Sequence, residues 1–183
     1  MSVALDIETS GLEPDCRITC VGIASADKIE SFTFGPADNW DAHRGAILSI
    51  LSDAPLIYMF NGPGFDIPVM QRCFGLADEV VGSWMAKLVD PLYAAKGLIG
   101  TRVCAKLAVV LALNGLPPKT GSGLDAVIMA REGRWRELAH YCANDTEVTR
   151  QLMLEKTVYW DQSLLFRPMG RHVWYGAMRA SGA

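Results

Sequence analysis

Residues 3–12 read Val3-Ala4-Leu5-Asp6-Ile7-Glu8-Thr9-Ser10-Gly11-Leu12, and this stretch sets how the rest of the chain is read. The apolar run Val3–Asp6 ends in an acid and is soon followed by Ser-Gly, which predicts a first strand delivering its charged residues at its carboxyl end. Side chains alternate along extended backbone, so Asp6 and Glu8 share one face while Ile7 points into the opposite one. Two carboxylates held side by side suit a cation.

Outward from this strand, Ile18–Ala24 and Ile29–Phe34 are β-branched, apolar or aromatic runs separated by Ser-Ala-Asp-Lys, the pattern of a hairpin. From Asn39 to Leu51 the residues Ala42, Ala46, Ile47 and Ile50 recur at helical spacing, and Asp-Ala-Pro then stops the pattern. A strand is expected from Leu56 to Phe60, running into the turn formers Asn-Gly-Pro-Gly. Pro68 suits the first turn of a short helix over Ile67–Phe74, which puts Asp66 near a helix N-terminus. Later helices are predicted over about Val103–Leu113, Leu124–Arg131 and Trp135–Leu154, the last being the longest. Between the first two of these, the segment from Pro117 to Gly123 is a loop whose residues stand in the wrong order for a phosphate-cradling GxxxxGK[ST] motif. The expectation is an α/β fold: a mixed sheet of about five strands flanked by helices on both faces.

A length of 183 residues with 50% hydrophobic content suits one domain spanning 1–183, with a motif-bearing core of about 3–154 and a C-terminal extension of about 155–183. A net charge of −3 argues against a broad basic surface that coats nucleic acid, so any such contact is expected to be local. Cys16, Cys20, Cys73, Cys104 and Cys142 are odd in number and form no CxxC pair, which indicates neither a disulfide framework nor a zinc ribbon. No basic segment with an apolar run opens the chain, and no stretch of about 18 apolar residues occurs, so a cytoplasmic protein without a membrane partner is expected.

Two further blocks carry chemistry: Phe60-Asn-Gly-Pro-Gly-Phe-Asp66 and Tyr141-Cys-Ala-Asn-Asp145. Tyr141 and Asp145 lie four residues apart on a predicted helix, so a phenol and a carboxylate project from one face. Each residue alone has an ordinary explanation, a core aromatic and a solvated charge. Together with Asp6, Glu8 and Asp66 they form a dense set of acids. Hydrolysis of a phosphodiester needs such a set to hold divalent cations beside a phosphate that is itself negative.

In these three blocks, DIET, NGPGFD and YCAND, the chain resembles the DEDD (DnaQ-like) superfamily of 3′-5′ exonucleases, in family order, over Val3 to about Leu154. The tyrosine block is similar to that of the tyrosine (DEDDy) subclass, and the approach to it, with Lys-Thr-Gly-Ser-Gly from Lys119, looks like that of exonuclease domains related to family B polymerases. The resemblance implies a ribonuclease H-like fold in which Asp6, Glu8, Asp66 and Asp145 hold two Mg²⁺ or Mn²⁺ ions, about 3.5–4 Å apart in sites of this kind. It implies that the Tyr141 hydroxyl orients the nucleophile and that nucleoside 5′-monophosphates leave from single-stranded 3′ ends. Thr9 and Leu12 would border the terminal nucleotide, with Asn61 and Phe65 shaping its pocket. A polymerase or other replication or repair protein is an expected partner. The same core also fits an RNA-processing or oligoribonucleotide-degrading enzyme, or a nucleic-acid-binding module without catalysis.

His140 also stands in the His-x-x-x-x-Asp spacing of a histidine subclass, but an i, i+4 pair shares a helical face better than an i, i+5 pair, which favours Tyr141. Asp90, before Pro91, is explained by helix capping. Lys119 and Arg134 invite a phosphate role, although single basic residues are ordinarily solvated. The C-terminal stretch from Trp160 to Arg179 mixes aromatics with arginines, a composition that grips single strands or packs back on the domain.

Overall fold

The computed structural model describes residues 1–93 and 106–154 with their side chains, and the backbone of 158–159, 164–169 and 173–178. Five strands form one sheet: β1 (Val3–Thr9), β2 (Ile18–Ala24), β3 (Ile29–Thr33), β4 (Ile57–Tyr58) and β5 (Leu88–Val89), in the order β3-β2-β1-β4-β5. The β1–β2 and β2–β3 pairs are antiparallel, while β4 and β5 run parallel to β1. The expected mixed five-stranded α/β architecture is therefore present.

Helices cover both faces. On one, α1 (Trp40–Asp53), α2 (Asp66–Phe74) and α3 (Asp78–Met85) pack Ile47, Leu51, Met70, Phe74 and Trp84 against Leu5, Ile7, Val21, Ile23 and Ile57. On the other lie α4 (Leu107–Leu113), α5 (Gly123–Arg131) and α6 (Trp135–Leu154), contributing Val110, Leu111, Ala126, Leu138, Cys142, Val148 and Leu152. The caps follow from local chemistry. Asn39 accepts the Ala42 amide at 3.0 Å to start α1, Gly75 closes α2 at φ 61°, and Ser122 with Asp125 forms a capping box on α5.

One contact sets how closely α6 approaches the sheet. Gly22 lies opposite Asp6 in the β1–β2 register, and a Cβ there would collide with the Thr146 hydroxyl and press on the Cys142 carbonyl. A glycine within a strand marks such a close approach, and here it lets α6 lie across β1 and β2.

Several expectations shift. β1 continues past Asp6 to Thr9, so both acids are in the strand itself, and β4 is shorter than the predicted Leu56–Phe60. Helix α3 and strand β5 were not anticipated, since the two-residue β5 is too short to show a period and Gly82 interrupts the α3 pattern. The C-terminal extension contains β6 (Val158–Tyr159), β7 (Leu164–Met169) and β8 (Val173–Met178) in an antiparallel sheet that was not predicted. Residues 103–105 of the helix expected over Val103–Leu113 lie outside the described residues, as do Gly97, Gly100 and Cys104. Cys16, Cys20, Cys73 and Cys142 are free thiols, and among the described residues no helix is long and apolar enough to cross a membrane.

Candidate metal centre

Strand alternation places Asp6 and Glu8 on the α6 face of the sheet, while Ile7 joins the opposite core. Helix α6 brings Asp145 down onto them. One carboxylate oxygen from each of Asp6, Glu8 and Asp145 lies within 4.8 Å of the others, among residues that are partly or fully buried. Asp66, the first residue of α2, is also buried, and its Oδ1 accepts the Ile7 amide at 3.3 Å. The structure thus gathers three of the four expected acids into one tight group and sets the fourth at its border.

Burial of like charges is expensive. Desolvation, reinforced by Asp145 and only partly relieved by Lys119, pushes the Asp6 carboxyl up to about 7. Desolvation and the Asp6 and Asp145 charges push Glu8 up to about 10. Asp66 is raised by burial and by Asp6, against the lowering effect of its backbone hydrogen bonds, and Asp145 is raised chiefly by burial. Both Asp145 oxygens are sealed from solvent, with the Tyr141 hydroxyl in hydrogen-bonding reach. Their compensation is the Lys119 ammonium, 2.7 Å from Oδ2. Burial pulls the Lys119 pKa down, but Asp6 and Asp145 outweigh it and hold the side chain charged.

This donor set fits a hard divalent cation. It offers carboxylate oxygens only, from three residues on two rigid elements, with an ammonium already drawn to them. Lys119, an ambiguous basic residue in the sequence, is the positive charge of this cluster rather than a solvated side chain. Its loop is brought in beside Tyr141: a Cβ on Gly121 would stand 3.2 Å from the Tyr141 ring, and the Lys119 ammonium lies 5.9 Å from that ring's centre.

Tyr141 is buried, one helical turn before Asp145, and its hydroxyl lies in hydrogen-bonding reach of that carboxylate without ideal alignment. Burial and the Asp145 charge raise its pKa, so the phenol remains protonated through the neutral range. His140 is exposed, on a different part of the α6 surface.

The residues expected at the terminal nucleotide divide. Thr9 is buried and its hydroxyl donates to the Gly11 carbonyl at 2.6 Å, bracing the turn after β1, whereas Leu12 is 85% exposed just beyond it. Asn61 takes a left-handed conformation, φ 68°, at the head of the short 3₁₀ turn Gly62–Gly64, and Phe65 packs against the core beneath Asp66. Asp90 is a structural acid, as capping suggested: it is buried and accepts the Gly62 amide at 2.7 Å and the Tyr93 amide at 3.0 Å. Arg134 is tied to Glu132 and Glu137 on the surface. Side chains of the C-terminal stretch, including Phe166, Arg167, Trp174 and Tyr175, lie outside the described residues, as do Trp160, Arg171, His172 and Arg179 entirely.

No curated protein sequence matches the chain. Among solved structures it is similar to the family B DNA polymerase from the hyperthermophilic archaeon Pyrobaculum calidifontis, with a TM-score of 0.61 and 17% identity over 83% of this chain. The chain spans only 24% of the polymerase's length, and at this identity the likeness is one of fold. The family description of the RNase H superfamily matches residues 3–115, more than half of the sequence and including β1 with its two acids. By that match, and by the mixed sheet that carries the acids, the chain belongs to the RNase H superfamily.

Proposed function

We propose that this superfamily member is a metal-dependent 3′-5′ exonuclease of the DEDDy type, a single catalytic domain that shortens single-stranded nucleic acid and releases nucleoside 5′-monophosphates. The observation that carries this reading is the convergence of Asp6, Glu8 and Asp145, whose close-set, partly or fully buried oxygens make a cage for positive charge. Asp66, one hydrogen bond away from β1, completes the ligand set from the N-terminus of α2.

Two Mg²⁺ or Mn²⁺ ions bound there would supply Lewis acidity at the phosphate and lower the pKa of water. The chain's own groups do the rest. The four carboxylates hold the positive charge and set where the phosphate docks. Tyr141, kept protonated, can donate a hydrogen bond and orient the attacking oxygen, but it is too weak an acid to act as a base at neutral pH. His140, exposed and off this face, takes no part. Leu12, standing free at the end of β1, offers an apolar wedge for the terminal base, while Asn61 and Phe65 fix the loop that presents Asp66. A polymerase or other replication or repair protein would deliver the strand, because an acidic chain grips nucleic acid weakly by itself.

The test uses 5′-labelled single-stranded DNA and RNA of matched sequence, with Mg²⁺, Mn²⁺ or EDTA, and wild type beside Asp66→Ala. A metal-dependent ladder shortening from the 3′ end, lost in the variant, is expected. Cleavage that survives EDTA, or is undiminished in Asp66→Ala, overturns the assignment.

A further inference from the structure

A second cleft, of about 520 Å³, opens at the same end of the sheet as the carboxylates but on its opposite face. Ser10, two residues beyond Glu8, forms one wall. Arg17 and Arg72 reach into it from the start of β2 and from α2, and Thr19 and Trp40 are also part of its lining. Phe34 packs against the Trp40 ring at a tilt of 59°, centroids 4.6 Å apart, which fixes the indole as a firm aromatic wall.

The charges here are unusual for an acidic chain. Arg17 forms no ion pair and no side-chain hydrogen bond among the described residues, and Arg72 has no carboxylate partner. Arg72 is instead anchored by donating from one Nη to the Cys16 carbonyl at 2.7 Å, which aims the guanidinium while leaving other N–H groups open. The Ser10 hydroxyl accepts the Arg17 amide at 3.0 Å and keeps its own proton to donate. Thr19, nine-tenths buried, has a hydroxyl without a partner. Asp15 is the one acid on the rim, so the cleft carries a net positive charge. The free Arg17 fork and the open N–H groups of the anchored Arg72, beside hydroxyls and an aromatic wall, are the chemistry that recognises a nucleotide: phosphate on the arginines, base on the indole.

We infer that the Arg17–Arg72 cleft is a nucleotide subsite distinct from the carboxylate cluster, holding a phosphate and base of nucleic acid while the 3′ end occupies the metal centre. The class of ligand rests on the exonuclease reading. The position adds to it, because a strand leaving the acids at the carboxyl end of β1 meets Ser10 and Arg17 at that end of the sheet. Local grip of this kind supplies affinity that the overall charge of −3 does not.

The experiment measures binding of a short labelled oligo(dT) and of thymidine 5′-monophosphate to the full chain in EDTA, over a salt series. Wild type is compared with Arg17→Ala, Arg17→Ala/Arg72→Ala and Arg136→Ala, the last an exposed arginine on α6 serving as a charge control. The Arg17 side chain is exposed and forms no hydrogen bond or ion pair among the described residues, so its removal is not expected to change the melting temperature. Arg17→Ala should weaken oligonucleotide binding about tenfold or more, the double variant further, and the salt slope should fall by about 0.7 for each arginine lost. A parallel loss of monophosphate binding identifies a site that also takes free nucleotide, and an effect on the oligonucleotide alone identifies a strand subsite; both support the inference. Unchanged binding of both ligands in the double variant, or an equal loss in Arg136→Ala, overturns it. Manganese-dependent cleavage by wild type is followed alongside: cleavage with unaltered binding in the arginine variants sinks the subsite alone, and arginine-dependent binding without cleavage sinks the exonuclease alone.

Discussion

Replacing Lys119 by Met removes the only cation paired with the Asp6–Glu8–Asp145 cluster among the described residues. At 2.7 Å and an effective dielectric of about 20, Coulomb's law gives the Lys119–Asp145 pair roughly 6 kcal/mol of gross attraction. Burying the ammonium, whose side chain keeps only 24% exposure, takes back about half of this. The expected net loss is about 3 kcal/mol in metal-free protein, or roughly 6–12 °C in Tm for a chain of this size. A divalent cation bound to the same carboxylates takes over the role of the ammonium, so saturating Mn²⁺ should close most of the gap. Removing the competing charge should also tighten Mn²⁺ binding by about tenfold, which corresponds to roughly 1.4 kcal/mol. Thermal melts in EDTA and in Mn²⁺, with a calorimetric Mn²⁺ titration, read both effects. An unchanged Tm in EDTA, or a loss of equal size with and without Mn²⁺, would refute the view that lysine and metal neutralise the same charges.

The elevated carboxyl groups predict a pH dependence. Because the folded state retains protons that the unfolded chain releases near pH 4, stability in EDTA should fall as pH rises toward about 7, where Asp6 ionises, and more gradually beyond as Glu8 approaches about 10. The slope is about 1.4 kcal/mol per pH unit for each proton held only by the folded state. Melts from pH 5 to 8 should slope downward in EDTA and flatten in Mn²⁺, and a rising curve in EDTA would contradict the burial costs described. Tyr141→Phe should lower turnover on single-stranded DNA by about 10²-fold while His140→Ala stays near wild type, and the reverse order would make the histidine the catalytic residue. Asp90→Ala should cost about 2 kcal/mol in urea denaturation, by orphaning the Gly62 and Tyr93 amides, yet preserve Mn²⁺ binding; lost metal binding at unchanged stability would place Asp90 among the ligands.

Much of the framework was legible because it depends on local periodicity. The two-residue alternation of extended chain put Asp6 and Glu8 on one face and Ile7 on the other, and the four-residue helical step put Tyr141 and Asp145 together, with no knowledge of packing. Turn formers marked the loop before Asp66, and Pro68 marked the start of its helix. Residues whose meaning depends on distant partners were read less well. Lys119 is an isolated charge in the sequence, yet it balances the acid cluster, whereas the capping role of Asp90 is local and was legible from Pro91 beside it. The two-residue strand β5 is held by its neighbour β4 rather than by any pattern of its own.

The sequence by itself determined the set of acids, the elements that carry most of them and the α/β class, since these follow from residue type and spacing. Tertiary structure alone decided which acids converge. Only the missing Cβ of Gly22 lets α6 settle over β1 so that Asp145 meets Asp6 and Glu8, while the Ile7 amide holds Asp66 at their border. The cost of burying those charges, and the choice of Lys119 to offset it, depend on Asp6 meeting Lys119 and Asp145, both more than a hundred residues further along the chain, where no local propensity reaches.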